Sequence, residues 1–117
     1  MRYNVLMAVC IGSMFVTTPL WAADSQAGKL LYQQVCIHCH GTKDEHKFAP
    51  NLKGIGERRD AAWLNAWLKN PGELLKHDRY AQALLGKNKY GIHMPQIPDM
   101  KDDSKRANII SYLLTEF

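Results

Sequence analysis

Apolar residues recur at helical spacing in three parts of the chain. In the first part, from about Ser25 to Val35, Leu31 and Val35 lie four residues apart on one face, and Ser25 is a candidate N-cap. No convincing run alternates between apolar and polar residues, as a half-buried strand would. The pattern therefore predicts an all-α fold.

The second and third helices carry the larger apolar faces. The second is expected to begin after Asp60 as its N-cap and to stop at Asn70-Pro71. The third begins at Asp102 or Asp103, where acidic side chains suit the positive end of the helix dipole, and runs to the C-terminus. Their apolar residues are Trp63, Leu64, Trp67 and Leu68 in the second helix, and Ile109, Ile110, Tyr112 and Leu113 in the third.

Between Pro71 and Met94 the apolar pattern is weaker. It is compatible with a short helix from Asp78 to Leu85 that is closed by Gly86. Loops marked by glycine and proline join the three main helices. We therefore expect a small all-α domain in which short helices accompany three longer ones.

Residues 1–23 have the layout of a cleavable secretory signal. One basic residue precedes an apolar run from Val5 to Val16, and Ala22 and Ala23 supply the small residues of a cleavage site. The run is shorter than the roughly 20 residues that span a bilayer. An uncleaved membrane anchor, or a lipoprotein processed at Cys10, fits the pattern less well. We expect export to the periplasm and no stable membrane insertion after cleavage.

The mature domain, residues 24–117, is small and carries little net charge. The full chain has 15 Lys and Arg against 11 Asp and Glu, a formal charge of +4, which falls to +3 when Arg2 is removed. There is no basic stripe with interleaved aromatic residues, so we expect no nucleic-acid partner. A domain of this size buries a modest core, and a covalently held prosthetic group would help to stabilise it.

The sequence Cys36-Ile37-His38-Cys39-His40 is the attachment signature of c-type haem. Each thiol can add across a haem vinyl group to form a thioether, and His40 then stands where its imidazole can bind the iron. We expect one haem c, bound covalently through Cys36 and Cys39. A redox-active CxxC pair would need a βαβ context and a zinc site would need four N or S ligands, and neither is visible downstream.

A six-coordinate haem also needs a second axial ligand, and the sequence offers several candidates. Met94 lies in a loop before Pro95, and proline restricts the residue before it to extended conformations, which helps to fix its orientation. Met100, at the entry to the last helix, has the character of a core residue. His77, His93 and an open coordination site are the remaining alternatives.

Together with other motifs in the same order, this sequence resembles the class I c-type cytochromes, which are small monohaem electron carriers. The resemblance covers essentially the whole mature chain. Besides the attachment sequence, it rests on Gly28 and Tyr32, on Ala49-Pro50-Asn51-Leu52-Lys53-Gly54-Ile55-Gly56, on Met94-Pro95 and on Ile109-Ile110-Ser111-Tyr112-Leu113.

The resemblance implies a small cytochrome c fold, with three main helices and short helices wrapped around a covalently bound haem. It implies an iron ligated by His40 and Met94, and a Pro50 carbonyl that accepts a hydrogen bond from the other ring nitrogen of His40. Such a bond fixes the orientation of the imidazole and raises its basicity. It also implies that the first and last helices cross at Gly28.

The chain departs from the shorter bacterial members of this class in an extended segment from Pro71 to Met94. Lys87, Lys89 and Tyr90 lie in this segment. They can form part of a docking rim for an acidic redox partner, because complementary charge raises encounter rates, or they can belong to a plain solvent-exposed loop.

Three further residues are candidates for contact with the haem propionates. They are Arg58, Arg59 and one of the two tryptophans Trp63 and Trp67. Both tryptophans also serve the apolar face of their helix, whatever else they do.

We expect a periplasmic one-electron carrier that acts as a monomer between redox protein partners. An independent enzyme is not expected, because no Ser/His/Asp set, carboxylate pair or phosphate loop stands out. Two other functions stay open. One is a haem-bearing subunit dedicated to a single respiratory dehydrogenase or reductase, and the other is a haem sensor or enzyme with a labile sixth ligand.

Overall fold

The computed structural model describes residues 22–117, and all regular structure in that range is helical. The predicted signal segment, residues 1–23, falls outside the described residues except for its last two. None of the helices in the described range has the length and apolar character needed to cross a membrane. In chain order the elements are α1 (Ser25–Leu31), a π-helical turn (Tyr32–Cys36), α2 (Ile37–His40), α3 (Ile55–Arg58), α4 (Ala61–Lys69), α5 (Pro71–Leu75), α6 (Arg79–Lys87), a 3-10 turn (Pro98–Lys101) and α7 (Asp103–Glu116).

The first helical stretch differs from its prediction at both ends. Asp24 rather than Ser25 is the N-cap, because Asp24 Oδ1 accepts hydrogen bonds at 2.9 and 3.1 Å from the N–H groups two and three residues later. Its carboxylate also suits the positive end of the helix dipole. The chain stays helical beyond Val35, through the π-helical turn and into α2, as far as His40.

The helices α4 and α7 match their predictions. Asp60 Oδ1 accepts a hydrogen bond from the Trp63 N–H at 2.8 Å, and α4 ends at Lys69. Asp102 is the N-cap of α7, since its Oδ1 accepts from the Lys105 N–H at 2.8 Å. In both helices the cap satisfies an N–H group that has no partner within the helix.

Asn70 and Pro71 end α4 as predicted, and they also begin α5, which was not predicted. Asn70 Oδ1 accepts a hydrogen bond from the Glu73 N–H at 3.1 Å. Proline suits the first position of a helix, because its missing N–H would have no intrahelical partner there. One dipeptide therefore stops a helix and starts the next.

The prediction that Gly86 closes α6 is wrong. The helix runs on to Lys87, and Gly86 lies within it without the positive φ angle that a left-handed cap requires. The chain leaves the helix at Asn88, whose backbone is extended. The start of α6 is as predicted, because Asp78 Oδ1 accepts from the Ala81 N–H at 2.8 Å.

The crossing of α1 and α7 brings the two backbones into contact. A Cβ atom on Gly28 would lie only 2.0 Å from the carbonyl oxygen of Asn108, so glycine is required there. Beside the crossing, the Tyr32 ring packs against Tyr112 and Phe117, with centroid separations of 5.5 and 5.2 Å. The crossing at Gly28 is thus present as the resemblance implied.

The hydrophobic core lies between this crossing and α4. Met100 is 2 % exposed and belongs to the core, as its position before the last helix indicated. The core residues are Tyr32, Ile55, Leu64, Leu68, Met100, Ile109, Ile110 and Leu113. Leu64 and Leu68 fix one face of α4 in this core and leave the neighbouring tryptophans at its edge.

Candidate cofactor site

A cavity of about 190 Å³ lies beside the core, between the first helical stretch, α4 and the segment around Met94. Its walls are mainly apolar. The residues predicted from the sequence all line it, namely Cys36, Cys39, His40, Pro50 and Met94. The fold therefore brings together side chains that are up to 58 positions apart in the sequence.

The two thiols are not joined to each other in a disulfide. Burial, followed by the neighbouring Cys39, raises the pKa of Cys36 to about 11, so this thiol is protonated at neutral pH. A redox-active pair or a zinc site needs a thiolate. Within residues 22–117, moreover, no group of three or more His, Cys, Asp or Glu is arranged to hold a metal ion. The surroundings of Cys36 thus disfavour both of these interpretations.

The His40 ring is held in one tautomer. Its Nδ1 atom lies 2.7 Å from the Pro50 carbonyl oxygen, which can only accept a hydrogen bond, so Nδ1 carries the proton. Burial lowers the pKa of His40, although the Pro50 bond opposes this shift, and the neutral imidazole is favoured. A neutral ring protonated on Nδ1 keeps the lone pair of Nε2 free to bind a metal.

Met94 is the methionine that lines the cavity. It is half-buried, whereas Met100, the other methionine in the described residues, lies in the core and not in the cavity wall. His77 is exposed and lies outside the wall. His93 reaches the wall but is exposed, and its Nδ1 atom lies 2.9 Å from the Met94 carbonyl oxygen. Among the candidate second ligands, Met94 is therefore the best placed.

The segment that carries Met94 is anchored on both sides. Before it, the Asn88 side chain donates a hydrogen bond to the Ile92 carbonyl oxygen. After it, Gln96 Nε2 donates to the Lys69 carbonyl oxygen at the end of α4, at 2.7 Å. These bonds tie the loop to itself and to a helix that is fixed in the core.

The two tryptophans of α4 stack on each other but direct their N–H groups to different partners. Their ring centroids are 5.4 Å apart and the planes differ by 13°. Trp67 Nε1 donates to Met94 Sδ at 3.2 Å. Trp63 Nε1 is buried and has no hydrogen-bond partner among the described residues. Of the two, it is therefore Trp63 that offers an unused donor.

An acidic side chain lies close to Trp63 without pairing with it. The pKa of Asp78 is lowered, first by the hydrogen bond from the Ala81 N–H and further by the nearby Trp63 indole and Arg59 guanidinium. No hydrogen bond joins Asp78 to the indole, however. Asp78 therefore caps α6, while the Trp63 N–H stays available.

The two arginines differ in their relation to the cavity. Arg58 lines it, but its guanidinium already donates to two backbone carbonyl oxygens of the preceding loop, at 2.6 and 3.4 Å. The guanidinium of Arg59 lies over the Tyr80 ring, 3.4 Å from its centroid, and 5.6 Å from that of Trp63. Its Nε atom is buried and has no hydrogen-bond partner within residues 22–117.

The extended segment supplies a wall of the cavity. Tyr80, the fully buried Ala81 and three leucines of α5 and α6 line the cavity. A signal was available, because Ala81, Leu84 and Leu85 follow the i, i+3, i+4 spacing of an amphipathic helix. The segment from Pro71 to Met94 is thus part of the site as well as of the surface.

The residues present fit a haem. The walls are apolar, a neutral imidazole and a thioether face the same space, and two thiols stand beside the imidazole. Buried N–H groups without partners are rare, and Trp63, which lines the cavity, has one with no partner among the described residues; it suits a buried ligand that carries carboxylates. Haem has all of these properties: an apolar ring, an iron, vinyl groups and two propionates.

Comparisons with known proteins agree with this fit. Residues 25–116 match the family model described as Cytochrome c. The chain is 31% identical over 103 residues to cytochrome c2 of Rhodopila globiformis, covering 79% of this chain and 92% of that protein. It is 38% identical over 48 residues to cytochrome c-551 of Bacillus subtilis, covering 41% of this chain and 43% of that protein.

A solved structure shows the same fold. It is an engineered cytochrome c from Rhodothermus marinus bound to a carbene intermediate, and it superposes with a TM-score of 0.65. The match covers 94% of this chain and 87% of the other, at 21% sequence identity. At that identity the likeness concerns the arrangement of the helices alone.

Proposed function

The chain belongs to the cytochrome c family, and from that premise we propose that it is a periplasmic one-electron carrier with a single haem c. The haem is attached through Cys36 and Cys39, and its iron is ligated by His40 and Met94. The observation that carries this proposal is the convergence of these four side chains on one apolar cavity. When bound, the haem supplies an iron that alternates between the ferrous and ferric states.

The protein residues set the properties of that iron. The Pro50 carbonyl holds His40 with Nε2 free, so the imidazole needs no rearrangement to bind. The Met94 thioether is a soft ligand that favours ferrous iron. The apolar walls disfavour the additional charge of the ferric form, since a low dielectric makes an isolated charge costly. These effects act together to raise the reduction potential above that of bis-histidine ligation.

Trp63 and Arg59 would hold the propionates of the haem. Trp63 offers a buried indole N–H and Arg59 a buried Nε–H, and neither has a hydrogen-bond partner in the part of the chain that the structure describes. A hydrogen bond to an ionised carboxylate is roughly twice as strong as one between neutral groups. Tyr80, which belongs to the extended segment, stacks against the Arg59 guanidinium and so fixes its position.

The domain boundaries and the location follow from the N-terminal sequence. Residues 1–23 are the signal peptide and residues 24–117 are the mature domain. Cleavage after Ala23 leaves α1 complete, because the helix begins at Ser25 and its cap is Asp24. The mature protein acts as a monomer.

The partner is a redox protein with an acidic docking surface. Lys87, Lys89 and Tyr90 of the extended segment line an open groove together with the exposed Phe48. A positive rim around exposed aromatic rings suits a short-lived complex, in which charge speeds the encounter and apolar contact stays small.

Reversing two of these charges is expected to slow electron transfer to such a partner. The variant Lys87→Glu/Lys89→Glu should lower the second-order rate constant by about tenfold at low ionic strength, and added salt should reduce the difference. The control Lys29→Glu/Lys101→Glu makes the same change of net charge outside the groove. Stopped-flow kinetics with an acidic redox protein measure both variants, and equal slowing would exclude the groove as the docking site.

The function itself is tested by a redox titration combined with exposure to carbon monoxide. The purified protein should titrate reversibly as a single one-electron couple, and the reduced form should bind little or no carbon monoxide, because the Met94 segment is anchored on both sides. Ready binding would instead favour a sensor or an enzyme with a labile sixth ligand. Stable copurification with one dehydrogenase or reductase would favour a dedicated subunit.

A further inference from the structure

We propose that α6 is a cover that opens separately from the rest of the domain and that, while closed, keeps external ligands away from the haem. The inference rests on the proposed haem site, and it concerns the extended segment that contains α6. It is carried by the surfaces against which α6 packs, since these belong to the cavity and to α5 and not to the hydrophobic core.

The inner face of α6 is directed at the cavity. Ala81 is fully buried, Leu84 and Leu85 are half-buried, and all three line the cavity wall. Within residues 22–117, none of them belongs to the hydrophobic core or packs against it. A helix of nine residues is too short to be stable on its own in water. An apolar occupant of the cavity therefore supplies much of the stabilisation that the core gives to other helices.

The other long helices are held in a different way. The helices α1 and α7 cross in backbone contact, and α4 places Leu64 and Leu68 in the core that it shares with α7. The main helical neighbour of α6 is α5, the five-residue helix before it. Gln82 Nε2 of α6 donates a hydrogen bond to the Leu75 carbonyl oxygen of α5 at 3.0 Å. Movement of α6 therefore leaves the crossing and the core intact.

A latch of three side chains, Arg59, Trp63 and Tyr80, joins α6 to α4. The Tyr80 ring packs edge-on against Trp63, with 5.3 Å between the ring centroids, and the Arg59 guanidinium lies 3.4 Å from the Tyr80 centroid. Aromatic pairs and cation–π contacts are individually weak. An element held by such contacts, and without a share in the core, opens at a lower free energy than the domain as a whole.

The wall that α6 forms continues to the proposed methionine ligand. Asn88 is the C-cap of α6, and its side chain donates a hydrogen bond to the Ile92 carbonyl oxygen, two residues before Met94. All three residues line the cavity. While α6 is closed, this continuous wall separates the space beside the Met94 sulfur from solvent. When α6 opens, a small ligand gains a path to that space.

The matched pair Ala81→Glu and Ala83→Glu tests the cover in the full haem-loaded protein. Both variants add the same charge to the same helix. Ala81 is buried on the inner face, whereas Ala83 is exposed and lies outside the cavity wall. An unpaired carboxylate is costly to bury in apolar surroundings, so Ala81→Glu should favour the open position. Hydrogen exchange measured by mass spectrometry compares the backbone amides of α6 with those of α7.

In the wild type, the amides of α6 should exchange at least about tenfold faster than those of α7, because α6 opens without global unfolding. Ala81→Glu should accelerate exchange in α6 by about tenfold or more and leave α7 unchanged. Ala83→Glu should leave both helices at wild-type rates. Tyr80→Leu removes the latch without burying a charge and should also accelerate α6. It takes the place of Ala81→Glu if that variant does not retain its haem.

Access to the iron is measured separately in the Met94→Leu background, where no thioether competes with an added ligand. The association rate constant of carbon monoxide with the reduced protein then reports access alone. Ala81→Glu/Met94→Leu should raise this rate constant by about tenfold over Met94→Leu, because the open cover no longer limits entry. Ala83→Glu/Met94→Leu should leave it unchanged.

Three results would overturn the inference while leaving the electron-carrier function intact. The first is equal exchange of α6 and α7 in the wild type. The second is exchange of α6 at the wild-type rate in both Ala81→Glu and Tyr80→Leu. The third is equal carbon monoxide association in the two double variants. If Met94→Leu binds no carbon monoxide, Met94 is not the ligand, and the exchange rates alone then decide the role of α6. The electron-carrier function fails separately, if the purified wild type shows no reversible one-electron couple.

Discussion

Replacing Met94 with leucine is expected to abolish the sulfur-to-iron charge-transfer band of the oxidised protein and to open the reduced haem to carbon monoxide. Leucine has a similar volume but no lone pair to offer the iron. The reduction potential should fall by a substantial part of the roughly 0.8 V range that axial ligands control, because the soft sulfur that favours ferrous iron is lost. Optical spectra of both oxidation states and a redox titration measure these changes.

Met100→Leu is the matched control, because it makes the same chemical change at the other methionine of the described residues. Met100 is 2 % exposed in the hydrophobic core and lies outside the cavity wall. The substitution should leave the band unchanged and cost less than about 1.5 kcal/mol of stability, as volume-conserving exchanges usually do. If the band vanished in Met100→Leu and survived in Met94→Leu, the ligand assignment would be reversed.

Replacing Gly28 with alanine is expected to produce the largest loss of stability of any single methyl group added to this domain. The new Cβ atom would lie 2.0 Å from the Asn108 carbonyl oxygen and 2.5 Å from its carbonyl carbon. Both are backbone atoms of α7, so relief requires the two helices to separate and the aromatic cluster around Tyr32 to repack. We expect a loss of about 3 kcal/mol or more in the free energy of unfolding.

Gly86→Ala is expected to have the opposite effect on stability. Gly86 lies within α6, and no neighbouring atom of the described residues lies within 4 Å of the position that its Cβ would take. Alanine is favoured over glycine in a helix interior by about 1 kcal/mol, so this variant should be more stable than the wild type. Denaturant unfolding of the haem-loaded protein measures both variants. Unchanged stability in Gly28→Ala would contradict the close crossing of α1 and α7.

The parts of the fold that depend on local interactions, such as helix caps and the spacing of apolar residues, could be predicted from the sequence. The start of α4 follows from Asp60 and an apolar face at helical spacing, and the start of α7 follows from its acidic first turn. The first helix was given the wrong cap, because Asp24 and Ser25 are both good capping residues and only the backbone geometry distinguishes them. The all-α class follows from the helical spacing of apolar residues, whereas the specific cytochrome c fold rested on motifs whose order no local propensity encodes.

The errors in the extended segment have a common physical origin. Glycine often ends a helix, but it stays helical when tertiary contacts stabilise the turn before it. In α6 these contacts come from Ala81 and two leucines, which pack against the cavity. The helix α5 is only five residues long, too short for periodicity to indicate. Both cases depend on tertiary contacts that form only once the segment folds over the site.

The spacing of the two α4 tryptophans does not determine the hydrogen-bond partner of either indole N–H. Trp63 and Trp67 lie four residues apart on one face, so the sequence treats them as equivalent. In the structure one N–H meets the Met94 sulfur and the other has no partner among residues 22–117. The difference arises from the path of the Met94 loop. The apolar stripe indicated a core face, and the Trp63 N–H on that stripe carries the proposed contact with a propionate.

The most direct test of the account is the intact mass of the purified protein under denaturing conditions, because denaturation releases a haem that is not covalently bound. We expect the mass of residues 24–117 plus one haem, with the haem recovered after digestion on the peptide that contains Cys36 and Cys39. The variant Cys36→Ala/Cys39→Ala should lose it. A mass equal to the polypeptide alone, or a haem retained by that variant, would contradict covalent attachment through these two thiols.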